Sequence, residues 1–369
     1  LRDLDYSQTI IDSWLQSPIL SCLQELELDA LCHGHRCRYF EPLCPCNRPR
    51  GLLQKILAST FRFSSTLIVA TISSCQILDG TVETLQFPQL KQLGLHHVQI
   101  SEVSMTRLMA SCPVIECVLL TDIWGPLSKI SLRINSLSLK NIGFSSAFDK
   151  IIIENAPSLE RLIQVGSKCS VAPHVLAISA PKLEIIGSLS DHYTQYGIGP
   201  TIIEVVQMQA FTMVAGNVKI LAIHNFRLSL DMVICLIQSF ACLEKLYIQT
   251  SNVPDGKNLW RHKHRDLIKH LNIRLKTIVL KKYRGVKSQA SFATFFILNA
   301  KMLEFMVFEG RPYDDMRKFL AEQKKLLQLE KRASRGAQFH YTTTGCEHYF
   351  PHIKHVRDLS RADPFQCTC

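Results

Sequence analysis

The sequence predicts an α/β solenoid: a curved parallel sheet built by repetition, with helices or irregular returns outside it. Three observations predict this. One phrase recurs with its apolar positions kept: Ala156-Pro157-Ser158-Leu159-Glu160-Arg161-Leu162, then Ala180-Pro181-Lys182-Leu183-Glu184-Ile185-Ile186, with relatives at Cys112-Pro113-Val114-Ile115-Glu116-Cys117-Val118 and Ala241-Cys242-Leu243-Glu244-Lys245-Leu246-Tyr247-Ile248. The most regular intervals are about 25 residues, inside the range of about 20 to 29 that marks leucine-rich repeats. Helical returns lie between some of the strands, so successive strands run in the same sense and line the concave side of an arc.

The recurring phrase is a small residue, often followed by a proline, then x-Leu-Glu-x-Leu-x-Leu. It reads as a chain breaker, a leading leucine and a short alternating strand. Alternation puts Leu162 on the inner face and tucks Leu159 in at the start, while Glu160 and Arg161 turn toward water or a neighbouring turn. One such strand buries a single face and cannot stand alone, so the repetition is itself the fold signal. In order, Ile10 to Leu15 reads as a short amphipathic helix and Leu23 to Leu28 as the first strand. Residues 29 to 60 are rich in breakers and read as a loop. Strands follow at Leu67 to Ile72, Leu90 to Leu95, Ile115 to Leu119, Leu137 to Leu139, Leu159 to Ile163, Val175 to Ile178, Leu183 to Ile186, Val218 to Ile223 and Leu243 to Ile248. The register is irregular, with a longer gap around Asp191 to Ala215. Val103 to Met109 and Leu230 to Ile237 carry apolar residues at three- and four-residue intervals and read as return helices.

After Thr250 the texture changes. Trp260 to Ile268 is basic and helical, Leu275 to Leu280 a strand, Tyr283-Arg284-Gly285 a turn, Ser291 to Leu298 a helix and Met302 to Val307 a strand. A long amphipathic helix spans about Asp314 to Lys331, and the tail from Ser334 has no clear period. These shifts divide the chain into a repeat region at 1–254, a C-terminal cap at 255–345 and an irregular tail at 346–369.

Composition bounds the function. The net charge of +11 suits a nucleic-acid or membrane-surface partner, yet Lys and Arg are spread along the chain, so the charge reads as solubility first. Of the 14 cysteines, Cys112, Cys117, Cys235 and Cys242 occupy apolar slots, where a reduced thiol acts as a small hydrophobe. No cationic-then-apolar leader opens the chain, so a reducing cytoplasm or nucleus is the expected setting. No run approaches the roughly 20 apolar residues of a membrane span. The chain begins at Leu1, without Met, which reads as a fragment or a gene truncated at its start.

Several phrases carry a resemblance: Phe87 to Leu93, Ala156 to Leu162, Ser179 to Glu184, Cys242 to Ile248, and above all Leu275-Lys276 to Leu280, Tyr283-Arg284-Gly285 and Phe295 to Glu304. In these the chain resembles plant F-box/leucine-rich-repeat proteins with a C-terminal FBD region, in the expanded grass group. The stretch Leu271 to Glu304 is the most specific part. The resemblance implies an adaptor whose F-box docks on the Skp-type subunit of a cullin-RING ubiquitin ligase while the repeats hold a target protein. No F-box helices with their Leu-Pro start are present in this chain, so a Skp-type partner is expected only if an F-box lies upstream.

Among candidate sites, Cys32, His33, His35, Cys37, Cys44 and Cys46 offer soft ligands that suit zinc, but neither cysteine pair has the C-x2-C spacing, and the prolines favour a plain loop. Cys367 and Cys369 form a weaker pair. Trp260 to Arg265, with Lys281-Lys282-Tyr283-Arg284 nearby in sequence, offers phosphates or an acidic partner a positive stretch, against the commoner reading of a solvated helix side packed through Trp260, Leu267 and Ile268. There is no phosphate-cradling glycine loop, His-Glu-x-x-His or Gly-x-Ser-x-Gly, so no catalytic residue, metal or cofactor is nominated and the chain is not expected to be an enzyme. Glu160, Glu184 and Glu244 recur at one repeat slot, which marks them as structural. Target binding is expected on the concave strand face, through Lys91, Gln92, Arg161, Lys182, Lys245 and Gln249. A nucleic-acid or phosphate-surface binder and a non-functional truncated product are the alternatives.

Overall fold

A computed structural model describes residues 8–29, 54–56, 58–126, 129–145, 148–165, 174–177, 180–190, 217–226, 230–250, 272–312, 315–343 and 353–366. In chain order the strands are β1 (Glu25–Asp29), β2 (Gln54–Lys55), β3 (Val69–Ser73), β4 (Cys75–Gln76), β5 (Gln92–Gln99), β6 (Cys117–Trp124), β7 (Leu132–Asn135), β8 (Asn141–Phe144) and β9 (Lys150–Asn155). They continue as β10 (Arg161–Gln164), β11 (His174–Ala177), β12 (Ile185–Ser190), β13 (Ile220–Phe226), β14 (Lys245–Thr250), β15 (Thr277–Tyr283), β16 (Phe305–Gly310) and β17 (Gln338–Thr343). The chain forms two compact units: Leu1–Leu159 with Val165–Ala180 and Ile353–Pro364, and Glu160–Gln164 with Pro181–His352 and Phe365–Cys369.

In the first unit β1, β3, β5, β6 and β8 pair in parallel in that order. Their register aligns Leu26, Ala70, Leu93, Val118 and Ile142 in one row and Leu28, Ile72, Leu95, Leu120 and Phe144 in another, all buried. These are the two apolar positions of the repeated phrase, two residues apart and so on one face of the sheet. The leading residues Leu90, Ile115, Leu139 and Leu159 are also buried, ahead of their strands.

In the second unit β10, β12, β13, β14, β15, β16 and β17 pair in parallel in sequence. Leu162, Ile186, Leu221, Leu246, Ile278 and Met306 form its first buried row, and Ile223, Ile248, Leu280 and Phe308 extend its second.

A backbone device joins successive strands. The carbonyl just ahead of each strand accepts two consecutive N–H groups from the next repeat: Lys91 from Glu116 and Cys117, Glu116 from Lys140 and Asn141, Glu184 from Lys219 and Ile220, Glu244 from Lys276 and Thr277. Just past the five paired positions the chain turns through the left-handed region at Ser74, His97, Asp122 and Lys282, with φ of 60°, 53°, 52° and 56°.

The expected alternation holds, but strands start two residues after the leading leucine. Leu137 to Leu139 is therefore not a strand: Leu137 is 69% exposed in a turn, Leu139 is the buried leading residue, and the strand is β8. The returns in this stretch are not helices either. β7, β9 and β11 form a second parallel sheet in the first unit, in the order β11-β9-β7. The run Ile151-Ile152-Ile153 explains it, because consecutive β-branched residues disfavour helix and pack well in a strand.

Return helices do occur at Glu102–Ala110, where the Ser101 side chain accepts from the Ser104 N–H, and at Leu230–Ser239. The helix read over Asp314 to Lys331 is Met316–Leu326, capped by Asp315 and closed at Gln328 with φ 52° before a 3₁₀ turn at Leu329–Lys331. Beyond Ser334, where no clear period is read, lies β17; its alternation is confined to half-buried Phe339 and Tyr341, which pair with Met306 and Phe308, and its other side chains are exposed.

Candidate protein-binding face

Because the leucine rows point inward, the intervening positions form the other face of each sheet. In the first unit this face carries Glu25, Gln92, Cys117 and Asn141 in one row, Glu27, Thr71, Gly94, Leu119 and Gly143 in the next, and Asp29, Ser73, His96 and Thr121 in a third. The β1 edge is acidic and exposed, while Cys117, Leu119, Asn141 and Gly143 are buried.

The cover is the C-terminal segment. Its 3₁₀ turn Val356–Ser360 packs on β5, β6 and β8, burying Val356 and Leu359. Arg357 Nη2 lies 2.6 Å from Glu25 Oε2. Ser360 Oγ sits 3.4 Å from Cys117 Sγ and 3.5 Å from Asn141 Nδ2. Leu359 occupies the space above Gly143, where a Cβ would come within 2.8 Å of Leu359 Cδ2. Asp358 organises the turn, accepting the Lys354 and His355 N–H groups at 2.8 and 2.9 Å. Burial pushes the Asp358 carboxyl up, but those two N–H groups and the Arg361 and His355 charges outweigh it and hold it below the usual carboxylate range. Burial, with the His355 charge, keeps the His96 imidazole below its ordinary range, and its Nδ1 pairs with Thr121 Oγ1.

In the second unit the corresponding face carries Arg161, Lys245 and Thr277 in one row, Ala222, Tyr247 and Val279 in the next, with Gly187 against Ala222 where the β12–β13 register shifts, and Gln249, Lys281 and Glu309 in a third. Phe365 is fully buried there, 5.5 Å from Tyr247 between ring centroids. Lys281 Nζ donates to the Phe365 carbonyl at 3.1 Å and lies 3.6 Å from Glu309 Oε2. Lys281 is thus 8% exposed and committed to a buried pair, and Tyr283 is 2% exposed, so these two residues of the suspected basic stretch offer nothing to a phosphate, whereas Lys282 and Arg284 are exposed. Gly285 has φ +69°, the backbone angle its turn demands, and the Gln323 amide bridges its carbonyl to the Tyr283 hydroxyl.

The sequence-nominated residues separate into two environments. Lys91 belongs to a ladder of alternating charge at the turns ahead of the strands, where Glu116 lies 3.9 Å from Lys91 and 2.9 Å from Lys140. In the second unit Glu184 pairs with Lys219 at 2.7 Å and Glu244 with Lys276 at 3.1 Å. Glu184 and Glu244 are therefore rungs between repeats, while Glu160 joins the next repeat through its backbone carbonyl, which accepts the Glu184 and Ile185 N–H groups. Lys182 is exposed in the turn before β12. Gln92, Arg161 and Lys245 head their strands on the intervening face, and Lys245 Nζ lies 5.0 Å from the Tyr247 ring centroid. Gln249 is 2% exposed, so a partner reaches it only if its cover moves. The cover over both faces was missed by sequence reasoning, and its one visible signal is the scatter of Ile353, Val356, Leu359 and Phe365 in a polar tail.

The Cys32 to Cys46 set, Trp260 to Arg265, Cys367 and Cys369 lie outside the described residues. Among the described residues no cluster of His, Cys, Asp or Glu could hold a metal ion, and no helix is long and apolar enough to cross a membrane.

No curated protein matches the sequence. Two family profiles do: one described as FBD-associated F-box protein At5g56370, LRR repeats, over residues 11–248, and one described as FBD over residues 263–308. Both come from F-box-associated proteins and suggest a protein-interaction module; such families are typically non-enzymatic. The fold is an α/β leucine-rich-repeat fold followed by an FBD region, and the chain belongs to the family of FBD-associated F-box protein leucine-rich repeats.

Proposed function

We propose that this chain is the target-recognition part of an F-box adaptor of an SCF-type ubiquitin ligase, acting in the cytoplasm or nucleus. The observation that carries this reading is the sheet face described above: successive repeats present polar and small residues in register, supported by a family whose members pair such repeats with an F-box. A face of this kind builds affinity from contacts spread over several repeats, with a few anchors. Arg161, Lys182 and Lys245 are the proposed contacts in the second unit, with Lys91 and Gln92 in the first. A Skp-type subunit is a partner only if an F-box is present.

Photo-crosslinking amino acids placed at Arg161, Lys182 and Lys245, with one at exposed Lys324 on the helix Met316–Leu326 as control, test the reading in cells. The expected result is one polypeptide crosslinked from Arg161, Lys182 and Lys245 and not from the control, with its ubiquitination falling when the chain is removed. Crosslinks from the control position alone, or crosslinks to RNA that vanish as salt rises, overturn it.

A further inference from the structure

We propose that residues Ile353–Pro364 fill, in cis, the seat on the first unit's sheet face that a target polypeptide takes, and that such a target offers an Arg-x-Leu element with additional N–H donors. This rests on the reading of the chain as a protein-binding module and adds the location and the chemistry of recognition.

The segment looks like an occupant. It pairs with no strand of the sheet, holds its own turn through Asp358, and touches the sheet with side chains: Arg357 on Glu25, Leu359 above Gly143, Ser360 on Cys117 and Asn141. Those contacts define what the seat selects. The β1 edge carries Glu25, Glu27 and Asp29 and favours a cation. The glycine leaves a notch that one branched aliphatic side chain fills.

The fit is incomplete in one respect. The Gln92 Oε1 and Asn141 Oδ1 atoms, in the same row on either side of Cys117, are buried and accept no hydrogen bond. A buried amide oxygen without a donor is costly. A segment that brings the same cation and leucine together with N–H groups for these two oxygens outcompetes the tail. Occupancy in cis lowers the apparent affinity of any such segment by the fraction of molecules whose seat is open.

The test uses the full chain and a fluorescein-labelled synthetic peptide of residues 353–364, read by fluorescence polarisation. Against the unaltered chain the peptide competes with its covalent copy and binds weakly. Against the chain carrying Arg357→Glu and Leu359→Ser it binds at least tenfold more tightly, and adding Glu25→Lys reverses the gain. A peptide carrying Arg357→Glu does not bind either chain. Circular dichroism checks that the double variant is folded; if it is not, Arg357→Glu alone, an exposed pair whose loss leaves the core intact, must still tighten peptide binding at least threefold. Equal peptide affinity for the unaltered chain and the folded variant overturns the inference. No target enters this assay, so tighter peptide binding without any face crosslink from a target counts against the interaction reading alone, and a crosslinked target with unchanged peptide affinity counts against the seat alone.

Discussion

Gly187 and Phe365 should behave as one packing unit, which a double-mutant cycle on Gly187→Ala and Phe365→Ala measures. A glycine inside a strand ordinarily gains about 0.5 to 1 kcal/mol on replacement by alanine, because the backbone loses less entropy on folding. Here the added methyl would lie 2.6 Å from Phe365 Cε1, nearer still to Cζ, and 2.9 Å from the Ala222 Cβ. Phe365 is fully buried and tilted against Tyr247, so the ring has little room to yield. Overpacking of this kind costs about 1 to 3 kcal/mol. Phe365→Ala alone removes a buried ring and leaves a cavity, for a loss of about 3 to 5 kcal/mol. In the double variant the clash with the ring is gone while the close approach to Ala222 Cβ remains, so the loss is smaller than the sum of the singles by about 1 to 3 kcal/mol, the ring's share of the overpacking. Urea unfolding followed by far-UV circular dichroism, with the slope checked for constancy, gives all corners of the cycle. Additivity within about 0.5 kcal/mol would show that Phe365 does not sit on Gly187 and would refute the packing of the C-terminal residues on this sheet.

The remaining predictions concern a turn and the buried thiols. Gln328 ends its helix at φ 52°, where glycine is the usual residue, so Gln328→Gly should stabilise the chain by about 0.5 to 1 kcal/mol and Gln328→Val should destabilise it, both read from the urea midpoint. Burial, assisted by the Asp29 charge, raises the Cys75 thiol from 9.0 to about 12, and burial against a weaker opposing Ser111 hydrogen bond raises Cys112 from 9.0 to about 11. Below pH 9 both thiols are protonated folded or unfolded and their contribution is intact; above it the unfolded chain sheds protons that the fold retains, so stability falls as pH rises toward 11 and 12. The variant Cys75→Ala with Cys112→Ala should lose that part of the alkaline slope. At pH 8 a thiol reagent should label exposed Cys22 in the native chain while Cys75 and Cys112 react only on unfolding, as peptide mapping would show.

What the sequence by itself determined is the repeat. Leu93 and Leu95, or Leu246 and Ile248, two residues apart behind a leading leucine, leave the chain one economical way to bury them: strand beside strand in a common register, because a half-apolar strand has no stable existence alone. The glutamates of that phrase were likewise legible as structural, since a slot that recurs with every turn meets the same neighbour every time. Chemistry between the repeats was not legible. Ile151 to Ile153 carries no alternation, and only the presence of β7 and β11 on either side makes it the middle of a second sheet. The tail is the larger case. Val356 and Leu359 stand three residues apart, a run too short to mark a helix, Phe365 stands alone six residues on, and nothing local says that Gly143 and Gly187 are vacant places waiting for Leu359 and Phe365. Contacts made across two hundred residues of chain depend on shape rather than period, so only the tertiary structure decided that the polar face of the repeats is partly occupied, and by what.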